Sequence, residues 1–80
     1  MLTFKEQVSL GISILEKTRP VKNIEAIDLS KDGINATYVY EKARGGIQVI
    51  VGSNGQYVVG NSAKSLQQLI VDFKNLNNPF

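Results

Sequence analysis

Apolar residues recur at helical spacing near the start of the chain, at Phe4, Val8, Ile12 and Leu15. That period marks one face of an amphipathic helix. Thr3-Phe4-Lys5-Glu6 has the spacing of a capping box, in which the Thr3 hydroxyl accepts from the Glu6 amide and the Glu6 side chain reaches back. Gly11 weakens such a helix by about 1 kcal/mol relative to Ala, which makes sense where another element must pack closely. Arg19-Pro20 stops it, because the residue before a proline is pushed out of α geometry.

From Val21 the period changes to strands. Val21 to Leu29 is a first run, and Ser30-Lys31-Asp32-Gly33 is a turn with Asp and Gly where turns need them. Ile34 to Glu41 alternates, with Ile34, Ala36, Tyr38 and Tyr40 on one side. Lys42 to Gly46 is a loop, Ile47 to Val51 a β-branched strand, Ser53-Asn54-Gly55 a hairpin signal, and Gln56 to Gly60 the returning strand. A second helix follows, capped by Asn61 or Ser62, with its stripe at Ala63, Leu66, Leu69, Ile70, Phe73 and Leu76. Residues 77–80 form a frayed tail. Strands joined by short turns pair with their neighbours. The expected fold is therefore one α+β domain over residues 1–80: helix, four-stranded antiparallel meander, helix, with both helices packed on one sheet face.

Composition narrows the function. The 80 residues are 42% hydrophobic, ordinary for a globular chain. There is no Cys, hence no disulfide and no thiolate chemistry, and no His, the side chain most used for acid–base work near neutral pH and the commonest metal ligand. No metal, cofactor or catalytic role is expected. The first residues lack the pattern of a signal peptide, and no apolar run approaches membrane-spanning length. The expectation is a cytoplasmic protein of bacterial or phage origin. The sequon Asn35-Ala36-Thr37 then has no role.

Several short motifs have ordinary structural explanations. Asp28-Leu29-Ser30-Lys31-Asp32-Gly33 imitates half a calcium loop, but the twelfth position, which needs a bidentate carboxylate, is Val39. Arg44-Gly45-Gly46 is a single RGG in a loop, and Gly52, Gly55 and Gly60 match neither a phosphate loop nor a dinucleotide fingerprint. Asn78-Pro79-Phe80 is a three-residue docking match in a polar tail. Ser62 and Ser65 flank Lys64, the one nucleophile arrangement available, at a helix start where capping accounts for them.

Nine basic against seven acidic residues give a net charge of +2, so placement matters more than the sum. A meander puts Arg19, Lys22, Lys42, Arg44 and Lys64 at one end, beside Ser62 and the start of the second helix. That makes a candidate anion or nucleic-acid site. If Ile34, Tyr38, Ile47, Val49, Val51, Tyr57 and Val59 face the helices, then Val39, Ile50 and Val58 face outward beside Thr37 and Gln48. That is a candidate face for a protein partner or a second copy.

The order helix, strands, helix with a basic start to the last helix resembles, in outline, a double-stranded-RNA-binding domain. It departs from that family in having four strands rather than three and one lysine, Lys64, where the family has a run. No binding residue is carried over. Small phage inhibitors and toxin-immunity proteins share the size and layout. The expected function is a small non-catalytic protein that binds another macromolecule, an interaction, inhibitor or immunity-like adaptor. The alternative is a nucleic-acid module using the basic end.

Overall fold

The computed structural model describes residues 2–17, 23–42, 46–61 and 63–77. Helix α1 spans Phe4–Glu16. Its capping box is complete: Thr3 Oγ1 accepts from the Glu6 amide at 3.2 Å, and Glu6 Oε1 accepts from the Thr3 amide at 2.8 Å. Both donors would otherwise be orphans of the first turn. Arg19-Pro20 lies outside the described residues, and the helix closes at Lys17.

Four strands follow, β1 Ile24–Asp28, β2 Ala36–Glu41, β3 Gln48–Gly52 and β4 Tyr57–Gly60, then helix α2, Leu66–Asn77. They form one antiparallel sheet in the order β1-β2-β3-β4, the meander expected from the short turns. The first turn is a single 3₁₀ turn, Leu29–Asp32, closed by Gly33 at φ 76°. Asp28 Oδ1 starts it by accepting from the Ser30 amide at 2.9 Å, so the calcium-like string is a turn held by its own first carboxylate. At the β3–β4 hairpin the Gly52 amide donates to the Gln56 carbonyl and the Gly55 amide to the Gly52 carbonyl. With Gly55 at φ 88°, this is a three-residue loop ending in a left-handed glycine. Helix α2 is capped by Ser65, whose Oγ accepts from the Gln68 amide, and not by Asn61. Ser62 and residues 78–80 lie outside the described residues.

The helices take opposite faces of the sheet, where the sequence led us to expect one. Register decides which strand residues share a face: Val39 lies opposite Val49, Thr37 opposite Val51, and Tyr38 opposite Ile50. Ile14 and Leu15 of α1 pack on Val39, Val49 and Val51. Leu69 and Phe73 of α2 pack on Ala36, Ile50, Leu29 and Ile34. We call the α1 side face A and the α2 side face B. The misassignment has a physical cause. Every residue of β3 is buried, and a strand covered on both sides reads as a continuous apolar run with no polarity to separate its faces.

Glycines seat both helices. An ideal Cβ on Gly11 would stand 2.7 Å from Val39 Cγ2, too close for any real contact, so α1 reaches the sheet because that position is bare. On face B the roles are reversed. The glycines are on the strands, with Phe73 over Gly52 and Leu69 over Gly60, at 2.6 and 2.9 Å from where a Cβ would stand.

Candidate binding surface

The outward face predicted from alternation does not exist as a free surface. Thr37, Val39, Gln48 and Ile50 are buried, and Val58 is half-buried against the α2 core. Two of these residues are structural clamps. Thr37 Oγ1 donates to Gln7 Oε1 at 2.7 Å, and Gln7 Nε2 donates to the Leu2 carbonyl, so a buried glutamine ties the start of α1 to β2. Gln48 does the same on face B. Its Nε2 donates to the carbonyls of Asn61 and Lys64, and its Oε1 accepts from the Tyr38 hydroxyl. Leaving such groups unpaired would cost about 1–3 kcal/mol each.

The basic end is only partly described. Arg19, Lys22, Arg44 and Ser62 lie outside the described residues. Lys42 follows β2, and Lys64 follows β4, at the same end of the sheet, as a meander requires. Each is paired with a carboxylate. Lys42 Nζ lies 3.3 Å from Glu25, and Lys64 Nζ lies 2.6 Å from Asp72. The Lys64 ammonium, with help from Gln68 Nε2, holds the Asp72 carboxyl below its ordinary pKa. The hydroxyl of the neighbouring Ser65 caps α2.

What the helices leave uncovered lies elsewhere. On face B, α2 lies over β3 and β4 and its core reaches Ala36 and one side of Tyr38 on β2, and the β1 side stays open. There Ile27 is 46% exposed, opposite Tyr38 in register. The rings of Tyr38 and Tyr40 stack with centroids 4.8 Å apart and planes 19° from parallel. The Tyr38 hydroxyl donates to the buried Gln48, and the Tyr40 hydroxyl makes a longer, exposed contact of 3.3 Å to Glu25 Oε1. Burial, and then the neighbouring Tyr40, raise the Tyr38 pKa, which keeps its hydroxyl a donor. Glu25 and Lys42 border the patch. A shallow depression beside them is completed by Asn23 and Ile24. Tyr38 packs partly buried against the α2 core, as sequence reasoning expected of a helix-facing residue, and neither Ile27 nor Tyr40 was singled out. The available signal was the i, i+2 tyrosine pair beside a strand whose Glu25 and Ile27 share its face.

Among the described residues, no three His, Cys, Asp or Glu side chains come together to hold a metal ion, and no helix is long and apolar enough to cross a membrane. Compared with protein-family models, curated proteins and solved structures, the chain matches none.

Proposed function

We propose that this chain is a non-catalytic binding protein, and that Ile27, Tyr38 and Tyr40 on the open part of face B form the surface that takes a protein partner. The observation that carries the reading is an isoleucine nearly half exposed beside a stacked tyrosine pair. Tyrosines supply large contact area and are enriched among residues that dominate binding energy. Tyr38 is already held by its hydroxyl bond and stacked on Tyr40, which reduces the side-chain freedom lost on docking. The border carries both signs, Glu25 and Lys42, which suits a partner bearing a complementary acid and base. A phosphate backbone would favour unpaired cations instead, and Lys42 and Lys64 are both paired. The reading puts this work in the cytoplasm, where a chain without Cys loses nothing to reducing conditions.

The test is site-specific photo-crosslinking in cells that make the protein. A photoreactive residue at position 27 or 40 should join the chain to one and the same protein. The same group at the exposed Ser13 of α1 should not. Ile27→Asp should abolish the crosslink from position 40. Crosslinking to nucleic acid, or equal crosslinking from all three positions, overturns the reading.

A further inference from the structure

The two edges of the sheet differ. Strand β1 carries two carboxylates, Glu25 and Asp28. Strand β4, Tyr57–Gly60, has no charge, and its flanking residues Gln56 and Asn61 add none. Edge strands are normally protected by charge, proline or a bulge, because a row of unpaired backbone groups is a template for another strand. No described element pairs with the outer side of β4. Tyr57 and Val59 stay 43% and 46% exposed on face A, where α1 lies over β1 to β3.

The direction of the free backbone groups follows from the register. The Gly52 amide bonds to the Gln56 carbonyl, so in an antiparallel ladder Val58 and Gly60 also bond inward to β3. Tyr57 and Val59 then turn their N–H and C=O groups outward. The geometry points to antiparallel pairing of β4 with β4 of a second copy of this chain, about a two-fold axis at Val58. In that register Tyr57 of each copy bonds with Val59 of the other, and Val58 lies opposite itself.

Three features favour a second copy as the occupant. First, a two-fold interface sets a surface against itself, and an uncharged edge is the one that accepts its own image without repulsion. Second, the register pairs an aromatic with a β-branched residue twice on face A, a combination that stabilises antiparallel sheets. Third, there is room on face B. Helix α2 crosses from β4, where Leu69 sits on Gly60, to β3, where Phe73 sits on Gly52. At each end of the seam one copy's helix is near and the other is withdrawn. The seam is four residues long, so the buried area falls below the roughly 1,200 Å² of standard interfaces. The dimer should therefore be a weak, concentration-dependent one.

The test uses sedimentation of the full chain over a concentration series. Wild type should move from monomer to dimer. Val59→Pro should weaken the dimer by about ten-fold or more while leaving the circular dichroism unchanged, because proline is tolerated where an edge N–H faces solvent. Tyr57→Lys, which leaves the backbone intact, should weaken it as well. The chain has no native Cys, so Val58→Cys should oxidise to a disulfide dimer, its Cα atoms falling within the bridging range of about 4.4–6.8 Å. Ile27→Asp should leave all of this unchanged, which separates the edge from the tyrosine surface. A wild type still monomeric at about 1 mM overturns the inference. So does a dimer that survives both β4 substitutions.

Discussion

The two helical layers solve one packing problem in opposite ways. Under α1 the sheet supplies the knob, Val39, and the helix supplies the bare position, Gly11. Under α2 the helix supplies the knobs, Leu69 and Phe73, and the strands supply the bare positions, Gly60 and Gly52. Each layer is then fastened by one buried glutamine, Gln7 on face A and Gln48 on face B. The difference matters for what each layer tolerates. A helix glycine costs about 1 kcal/mol in propensity, so α1 is weak by itself and depends on the sheet. Helix α2 contains no glycine, and its contribution rests on a few large side chains. An 80-residue domain has a small core, so neither layer is dispensable.

Removing the largest knob should have the greatest effect. Phe73 is buried, with its ring over Gly52. Phe73→Ala deletes buried surface and leaves a cavity, which costs about 3–5 kcal/mol in comparable cores. Domains have only about 5–15 kcal/mol to lose. The urea midpoint should therefore fall far enough for a fraction of the chain to be unfolded near physiological temperature. A change under about 1 kcal/mol would mean that α2 is an ornament on face B rather than part of the core.

The glycine seat of α1 gives a smaller effect with a more telling sign. Gly11→Ala should raise helix propensity by about 1 kcal/mol, yet its Cβ meets Val39 Cγ2, and overpacking typically costs about 1–3 kcal/mol. We expect net destabilisation in the wild type by denaturant unfolding. With Val39→Ala in place the obstruction is gone, and the same Gly11→Ala step should become stabilising. If it stabilises in both backgrounds, Gly11 is not a seat and α1 has another reason to approach so closely.

How far the chain could be read follows the range of the interactions involved. Thr3 and Glu6 form their capping box within three residues, and Gly11 announces a close approach by its cost alone. Turn residues at Gly33 and Gly55 separate the strands and so specify the meander. The side taken by each helix could not be read in this way. Val49, Ile50 and Val51 are all apolar, and only the register with β2 tells which of them face α1. Gln48 is polar and next to a loop, which suggests exposure. Its partners are carbonyls 13 and 16 residues away, and no local pattern reveals them. Ile27 is exposed only because α2 covers β3 and β4 and stops short of β1. The candidate surface is thus a consequence of helix placement, the one architectural feature that alternation left undetermined.

The smallest effect concerns one carboxylate on each helix, Glu6 held by a hydrogen bond and Asp72, midway along α2, by an ion pair. Glu6 is held below its ordinary pKa mainly by the Thr3 amide, and Asp72 mainly by Lys64. Both carboxylates have a lower pKa folded than unfolded, so the unfolded chain binds more protons on acidification. Their stabilisation is complete above the unfolded values, about 3.9 for Asp and 4.3 for Glu, and is lost as pH falls through the folded ones. Unfolding measured from pH 7 downward should show stability declining below about pH 5, less steeply in Glu6→Gln and in Asp72→Asn. Salt distinguishes the two. About 1 M salt shortens the screening length to about 3 Å, so the difference between wild type and Asp72→Asn at pH 7 should shrink, while that for Glu6→Ala, which deletes the acceptor of the Thr3 amide, should persist. Equal salt sensitivity would mean that the two helices are anchored in the same way, and the contrast between the layers would then lie in their glycines alone.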